Sequence, residues 1–304
     1  MVRVSVVLGG AINISSTGTV NIIGNTASQH GGGIFSLDVL TTTNNTGTVN
    51  ITGNTAVDNG GGALIAVNGE PTLTENWTIS NNTAGGNGGG LIAAGGAIVT
   101  MQGATIRDNE ADGNGGGVYI CLDTTLIMTN GFIRNNTAGG NGGGLFSPGN
   151  SEITIEGGII NNNEADLDGG GIYVGEDVIL AITNYTQIMN NTADNGGGLF
   201  IEHDHGNIPG VTIGNHVRFT GNVARDGLLP NNQMVIDNPQ IAPSTVSESW
   251  TEPDPNNLGG FRENSHVFTN YDINISETLL RRVTFAVRNG TRRVIDSWTN
   301  YSYG

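Results

Sequence analysis

The triplet Asn-x-Ala returns eight times along the chain, with its asparagine at Asn25, Asn54, Asn82, Asn109, Asn136, Asn163, Asn191 and Asn222. Successive copies stand 27 to 31 residues apart. A second block keeps the same period: two glycines, then Gly or Ala, then an aliphatic residue. Its aliphatic column reads Ile12, Ile34, Leu64, Leu91, Val118, Leu145, Ile172 and Leu199. A third column lies three residues before each asparagine and runs from Ile22 through Ile51, Ile79, Ile106, Ile133, Ile160 and Ile188 to Phe219. Residues 81–91 and 135–145 are identical over 11 positions. Tandem duplication of one structural unit accounts for this, and a unit of that length must bury its apolar face against its neighbours.

The composition of the unit selects its fold. Helical repeats need good helix formers, whereas this chain has 50 glycines in 304 residues, each costing a helix interior about 1 kcal/mol relative to Ala. A leucine-rich repeat is excluded because its fixed Leu spacing is missing. The calcium-binding nonapeptide is excluded because a hydrophobe, not Asp, follows each glycine run. There remains an all-β chain, a right-handed parallel β-helix of about eight coils of 27–29 residues. Each coil is expected to hold three short strands. In coil 109–135 these fall near Gly117–Leu122, Thr125–Thr129 and Gly131–Arg134. Coils stacked about 4.8 Å apart would place the aliphatic columns in a continuous core. The asparagines would form a structural ladder of side-chain amides that donate one way and accept the other. The following Ala fits a turn interior, and the glycine triplet permits a tight corner with positive φ.

Two motifs carry a family resemblance. Gly9-Gly10-Ala11-Ile12 and Gly61-Gly62-Ala63-Leu64 match one, and Phe219-Thr220-Gly221-Asn222 matches the other, with Ile replacing Phe in seven copies. Over about residues 9–227 the chain resembles the repeats of the polymorphic outer-membrane proteins of chlamydiae and related bacterial surface adhesins. That resemblance implies a β-helix passenger and an adhesin function. The family's C-terminal membrane barrel has no counterpart here.

The repeat stops after Gly227. The expected organisation is a β-helix domain at 1–227, a linker or cap at 228–260 marked by five prolines, and a small β-strand and hairpin extension at 261–304. Within the extension Val283, Phe285 and Val287 alternate. Arg288-Asn289-Gly290-Thr291 reads as a two-residue type I′ turn.

Charge and special residues narrow the function. Net charge is −16 and all 11 cationic side chains are Arg. Nucleic acid is disfavoured as a partner, since phosphate needs a basic face, and so is an anionic membrane surface. The absence of Lys removes Schiff-base and P-loop chemistry. The lone Cys121 permits no intrachain disulfide and reads as a small core residue. The apolar run at 1–8 is too short for a signal peptide. Met1 therefore reads as a fragment start, with any export signal lying outside the sequence. The uncharged stretch 76–106 is too rich in Gly, Asn and Thr to insert in a membrane.

Three groups could carry chemistry. Glu164, Asp166 and Asp194 are the candidates for catalysis, because polysaccharide-cleaving β-helices cluster carboxylates on one face. Asp166 and Asp194 are expected to match in adjacent coils about 5 Å apart. Asp166, Asp168 and Asp194, with His203 and His205, are the candidate metal ligands. No cofactor is required, and Ca²⁺ is the ion that grouped hard oxygens would suit. The residue after each aliphatic position gives a column Phe35, Ile65, Ile92, Tyr119, Phe146, Tyr173 and Phe200. Its aromatic part, Tyr119, Phe146, Tyr173 and Phe200, would stack on sugar if it faced outward and would join a covered face otherwise. The expected function is a non-catalytic extracellular surface or adhesin-type module of a larger bacterial protein. Its partner would be a host or cell-surface glycan or protein. A glycan-binding or polysaccharide-cleaving β-helix is the alternative.

Overall fold

A computed structural model describes residues 12–14, 17–37, 40–42, 46–67, 69–202, 210–214 and 216–225. It also gives strand backbones at 234–236, 250–253, 261–268, 273–275, 283–286 and 292–294. The chain is a right-handed parallel β-helix with an all-β architecture. The eight repeated asparagines bound seven complete turns. At about 4.8 Å per coil these span about 34 Å.

Each coil runs through three faces. On the first, Leu91, Val118, Leu145, Ile172 and Leu199 stack in parallel register. On the second, Val99, Leu126, Ile153, Leu180 and Val211 do so. The third carries the column from Ile22 to Phe219. These side chains are almost wholly buried in one core cluster, and burying each contributes about 1.5–3 kcal/mol. A fourth ladder of only two residues per coil follows the repeated asparagine, from Thr26–Ala27 to Val223–Ala224. Its alanines point inward and its first residues outward. In coil 109–135 the second and third faces form one bent run, Thr124–Arg134, after Val118–Ile120 and the short Glu110–Ala111.

Two alignments of the aliphatic column differ from the sequence reading. Ile34 pairs with Ala63, and Leu64 pairs with Phe35 and Ile92, so Leu64 lies in the outer column and Ile65 inside. The reason is conformational. Gly60, with φ +72°, is the counterpart of Gly31 at +66° and Gly88 at +68°, so the triplet there is Gly60-Gly61-Gly62, not Gly61-Gly62-Ala63. Ile12 likewise pairs with Leu40 on the second face rather than with Ile34.

The asparagine ladder is continuous and internally saturated. From Asn25 to Asn222 each side-chain Nδ2 donates to the Oδ1 of the next coil's asparagine at 2.8–3.0 Å. The backbone N–H of each donates to that same Oδ1 at 2.9–3.1 Å. From Asn54 onward the second Nδ2 proton goes back to the Ile carbonyl of the preceding coil at 2.9–3.2 Å. An interior Asn amide thus uses two donors and two acceptor sites inside the buried core, as buried polar groups require.

The residue before each ladder asparagine reads Gly24, Gly53, Asn81, Asp108, Asn135, Asn162, Asn190 and Gly221, and every one has positive φ. Only Gly, Asn and Asp enter that region readily. In the glycine triplet only the first member has positive φ. The third is glycine for lack of room: a Cβ on Gly62, Gly90, Gly117 or Gly144 would lie 2.9 Å from a ladder Nδ2. The triplet and the asparagine therefore belong to one packing unit.

Beyond Ala224 the chain returns to the rod. Ile273–Ile275 pairs in parallel with Leu199–Ile201, and Val283–Phe285 with Val211–Ile213. Val283–Ala286 pairs antiparallel with Arg292–Val294. The expected type I′ turn at 288–291 lies outside the described residues. The 228–260 stretch carries strands 234–236 and 250–253, both antiparallel to 261–268.

Candidate functional site

Of the acidic residues singled out by sequence, Asp166, Asp168 and Asp194 lie on the turn between the fourth ladder and the first face. Glu164 faces outward on the fourth ladder, between Thr137 and Thr192. Asp168 belongs to a second polar column that the sequence reading missed. This outer column runs His30, Asn59, Asn87, Asn114, Asn141, Asp168 and Asn195, one residue before each positive-φ glycine. Its Oδ1 atoms accept from the next coil's backbone N–H at 2.7–2.9 Å, from Asn59 through Asn141. Asp168 Oδ1 then accepts from Asn195 Nδ2 at 2.9 Å. The signal was visible as Asn or Asp before Gly at the coil period.

Asp166 and Asp194 do not occupy equivalent rungs. Asp166 donates its N–H to Ala138 O, the standard rung. Asp194 N–H instead goes to Leu167 O at 2.6 Å. The turn Ala193-Asp194-Asn195-Gly196 is one residue shorter than Ala165-Asp166-Leu167-Asp168-Gly169, so the chain crosses to the next column one position early. That removes the rung donor from Ala165 O. Arg225, two coils on, supplies a replacement: its Nη2 donates to Ala165 O, its Nη1 to Glu164 Oε1 at 2.9 Å and its Nε to Asp194 Oδ1 at 3.1 Å. The guanidinium fork suits such multiple acceptors, although each pair is partly exposed and contributes at most about 1 kcal/mol. Two of the three candidate catalytic carboxylates are therefore ion-paired to one cation, and Asp166 stands exposed beside them. Among the described residues no group of three His, Cys, Asp or Glu side chains could hold a metal ion. His203 and His205 lie outside the described residues.

The aromatic column points away from the main core and forms its own cluster. Ring centroids are 5.1 Å apart for Tyr119–Phe146, 4.7 Å for Phe146–Tyr173 and 5.3 Å for Tyr173–Phe200. Phe146, Tyr173 and Phe200 are each only 5% exposed. The rings lie against one another, so Phe146, Tyr173 and Phe200 form a buried stretch with Tyr119 at its half-buried end. Burial, and then a hydrogen bond with Glu202, pushes the Tyr173 phenol well above its ordinary value. Burial also raises Tyr119, with a smaller contribution from Cys121. Cys121 itself is half-buried at a corner rather than in the core, and burial raises its thiol, which opposes thiolate chemistry. No helix among the described residues is long and apolar enough to cross a membrane.

The chain matches no known protein family, no curated protein and no solved structure. The class defined by the geometry is the parallel β-solenoid with an internal asparagine ladder.

Proposed function

We propose that this chain is a non-catalytic, extracellular surface or adhesin-type module, a rod that presents repeated walls to a glycan or protein partner. The observation that carries this reading is how the polar groups are used. Inner amides, outer amides, Glu164 and Asp194 are tied to neighbouring coils, so the repeat builds shape and rigidity. The motif resemblance to polymorphic outer-membrane protein repeats points the same way. The wall has few basic groups, which suits neutral glycans or protein surfaces over polyanions.

The test is a glycan array and a polysaccharide-degradation screen on the purified chain, with and without Ca²⁺, beside the double variant Asp166→Ala/Asp194→Ala. Binding without turnover is expected. Cleavage that disappears in the double variant would replace this reading with that of a polysaccharide-active enzyme. A binding signal that needs Ca²⁺ and both aspartates would move the site to the acidic turn.

A further inference from the structure

Six Asn-Gly dipeptides fall among the described residues, beginning at Asn59, Asn87, Asn114, Asn130, Asn141 and Asn195. Asn-Gly is chemically labile in a free chain. The glycine nitrogen, unhindered by a Cβ, can attack the side-chain carbon of the asparagine before it. The fold treats these six pairs in two ways.

Four of them are held shut in the outer column. Gly60, Gly88, Gly115 and Gly142 each donate their N–H to a carbonyl of the next coil at 2.9 Å. The matching side chains, Asn59, Asn87, Asn114 and Asn141, each commit Oδ1 to a backbone N–H at 2.7–2.9 Å. Gly86 and Gly113 pack close against two of them, and a Cβ there would fall 2.6–2.7 Å from Oδ1 of Asn59 and Asn87. Attack requires the nitrogen to leave its rung and the side chain to leave its donor together. Asn195 is tied through Nδ2 to Asp168 Oδ1 at 2.9 Å.

Asn130 differs. It is exposed at the bend between the second and third faces, where the ladder with the preceding coil shifts register between Gln102 and Thr105. The Gly131 N–H donates to Asn130's own Oδ1 at 2.8 Å, so the nitrogen lies beside the side-chain amide it would attack and is not turned to a carbonyl of the next coil as in the outer column. Gly131 has φ +120°, which few other residues could adopt.

We propose that Asn130 is a spontaneous modification site of the native rod, and that the outer-column asparagines are shielded by the same fold. Gly131 N bonds to Asn130 Cγ and gives its proton to water. The Cγ–Nδ2 bond breaks as Nδ2 takes a proton back from water, and ammonia leaves, forming a succinimide. Water then opens either imide C–N bond, leaving aspartate or isoaspartate. The net change is amide plus water to carboxylate plus ammonium, with no redox partner. The product places a new negative charge at the bend, and its isoaspartyl form adds a backbone carbon where the ladder is already out of register.

The experiment is peptide mapping by mass spectrometry after incubation of the folded chain at mildly alkaline pH, beside the same chain in denaturant. In the native chain the peptide holding Asn130 should gain the acid mass and isoaspartate. The peptides holding Asn87, Asn114 and Asn141 should react about tenfold slower or more, since two hydrogen bonds must break first. In denaturant all six sites should converge. Asn130→Gln should abolish the acid and isoaspartate signal in its own peptide of the native chain while leaving its melting unchanged. Native Asn130 reacting as slowly as Asn114, or Asn114 as fast as Asn130, would overturn the proposal.

Discussion

The ladder from Asn25 to Asn222 and the column from His30 to Asn195 are built from the same side chain at the same period, yet only the first is invariant over its rungs. The inner positions from Asn54 to Asn191 are at most 1% exposed. An interior amide there must supply two donors and two acceptor sites at once, and no other side chain of that size does so. The outer positions are half-buried and are asked chiefly to accept a backbone N–H. Asp168 stands at one rung, where its Oδ1 accepts from Asn195 Nδ2 instead of a backbone N–H, and His30 stands at the first, 3.4 Å from Asn59 Nδ2. Burial, more than repetition, sets how much chemistry a rung can tolerate.

The sharpest way to break this contrast is to interrupt the inner ladder. Asn136→Leu removes the acceptor of Asn109 N and Nδ2 and the donors to Asn163 and Ile106. With about 1–3 kcal/mol for each buried group left unpaired, it should cost upwards of about 3 kcal/mol in denaturant melts; a loss under about 1 kcal/mol would mean the ladder is ornamental. Gly144→Ala tests whether triplet and ladder are one unit. Its Cβ would meet Gly171 O at 2.5 Å and Asn163 Nδ2 at 2.9 Å, so a destabilisation of about 1–3 kcal/mol is expected, read by thermal melting.

Proton titration offers a subtler probe, because the inner ladder contains nothing that ionises. Tyr173, on the outer side beside Asp168 and Glu202, has its phenol raised in the folded state. The neutral form is therefore favoured by folding. Its contribution is complete below the unfolded value of about 10 and is lost as pH rises above it. Alkaline melts should show stability falling over that window, and Tyr173→Phe should flatten the slope; an unchanged slope would place the titration elsewhere. The smallest effect is expected for Asn114→Asp, which keeps the acceptor for Asn141 N at 2.7 Å. A change within about 0.5 kcal/mol would confirm that the outer column asks only for an acceptor. A loss like that of Asn136→Leu would erase the distinction between the columns.

Much of the fold was legible because each repeated residue type answers one physical demand. Ile at the third-face column meant burial, Asn meant saturation of buried polar groups, and Gly meant a corner. The errors came where two demands produce the same letters. Gly60-Gly61-Gly62-Ala63 offers two readings of a three-residue motif, and only the positive φ of Gly60 separates them. The expected match of Asp166 with Asp194 fails for a related reason. Asp166 and Asp194 follow equivalent alanines, but a turn shortened by one residue changes which carbonyl Asp194 meets. No pattern local to the acidic turn announced Arg225, which reaches Glu164 across 61 residues.

The sequence by itself determined the period, the parallel stacking and the inner ladder, because tandem copies present identical side chains to one another at every coil and so can pair only in register. What only the tertiary structure decided is where that identity fails: the register at Ala63, the early crossing at Asp194, the burial of Phe146 and Tyr173 against one another, and the turning of Gly131 toward its own neighbour's amide. Those outcomes depend on which atom lies one coil above or below. A repeat specifies that distance, but a one-residue insertion or deletion in a turn redirects every hydrogen bond that crosses it.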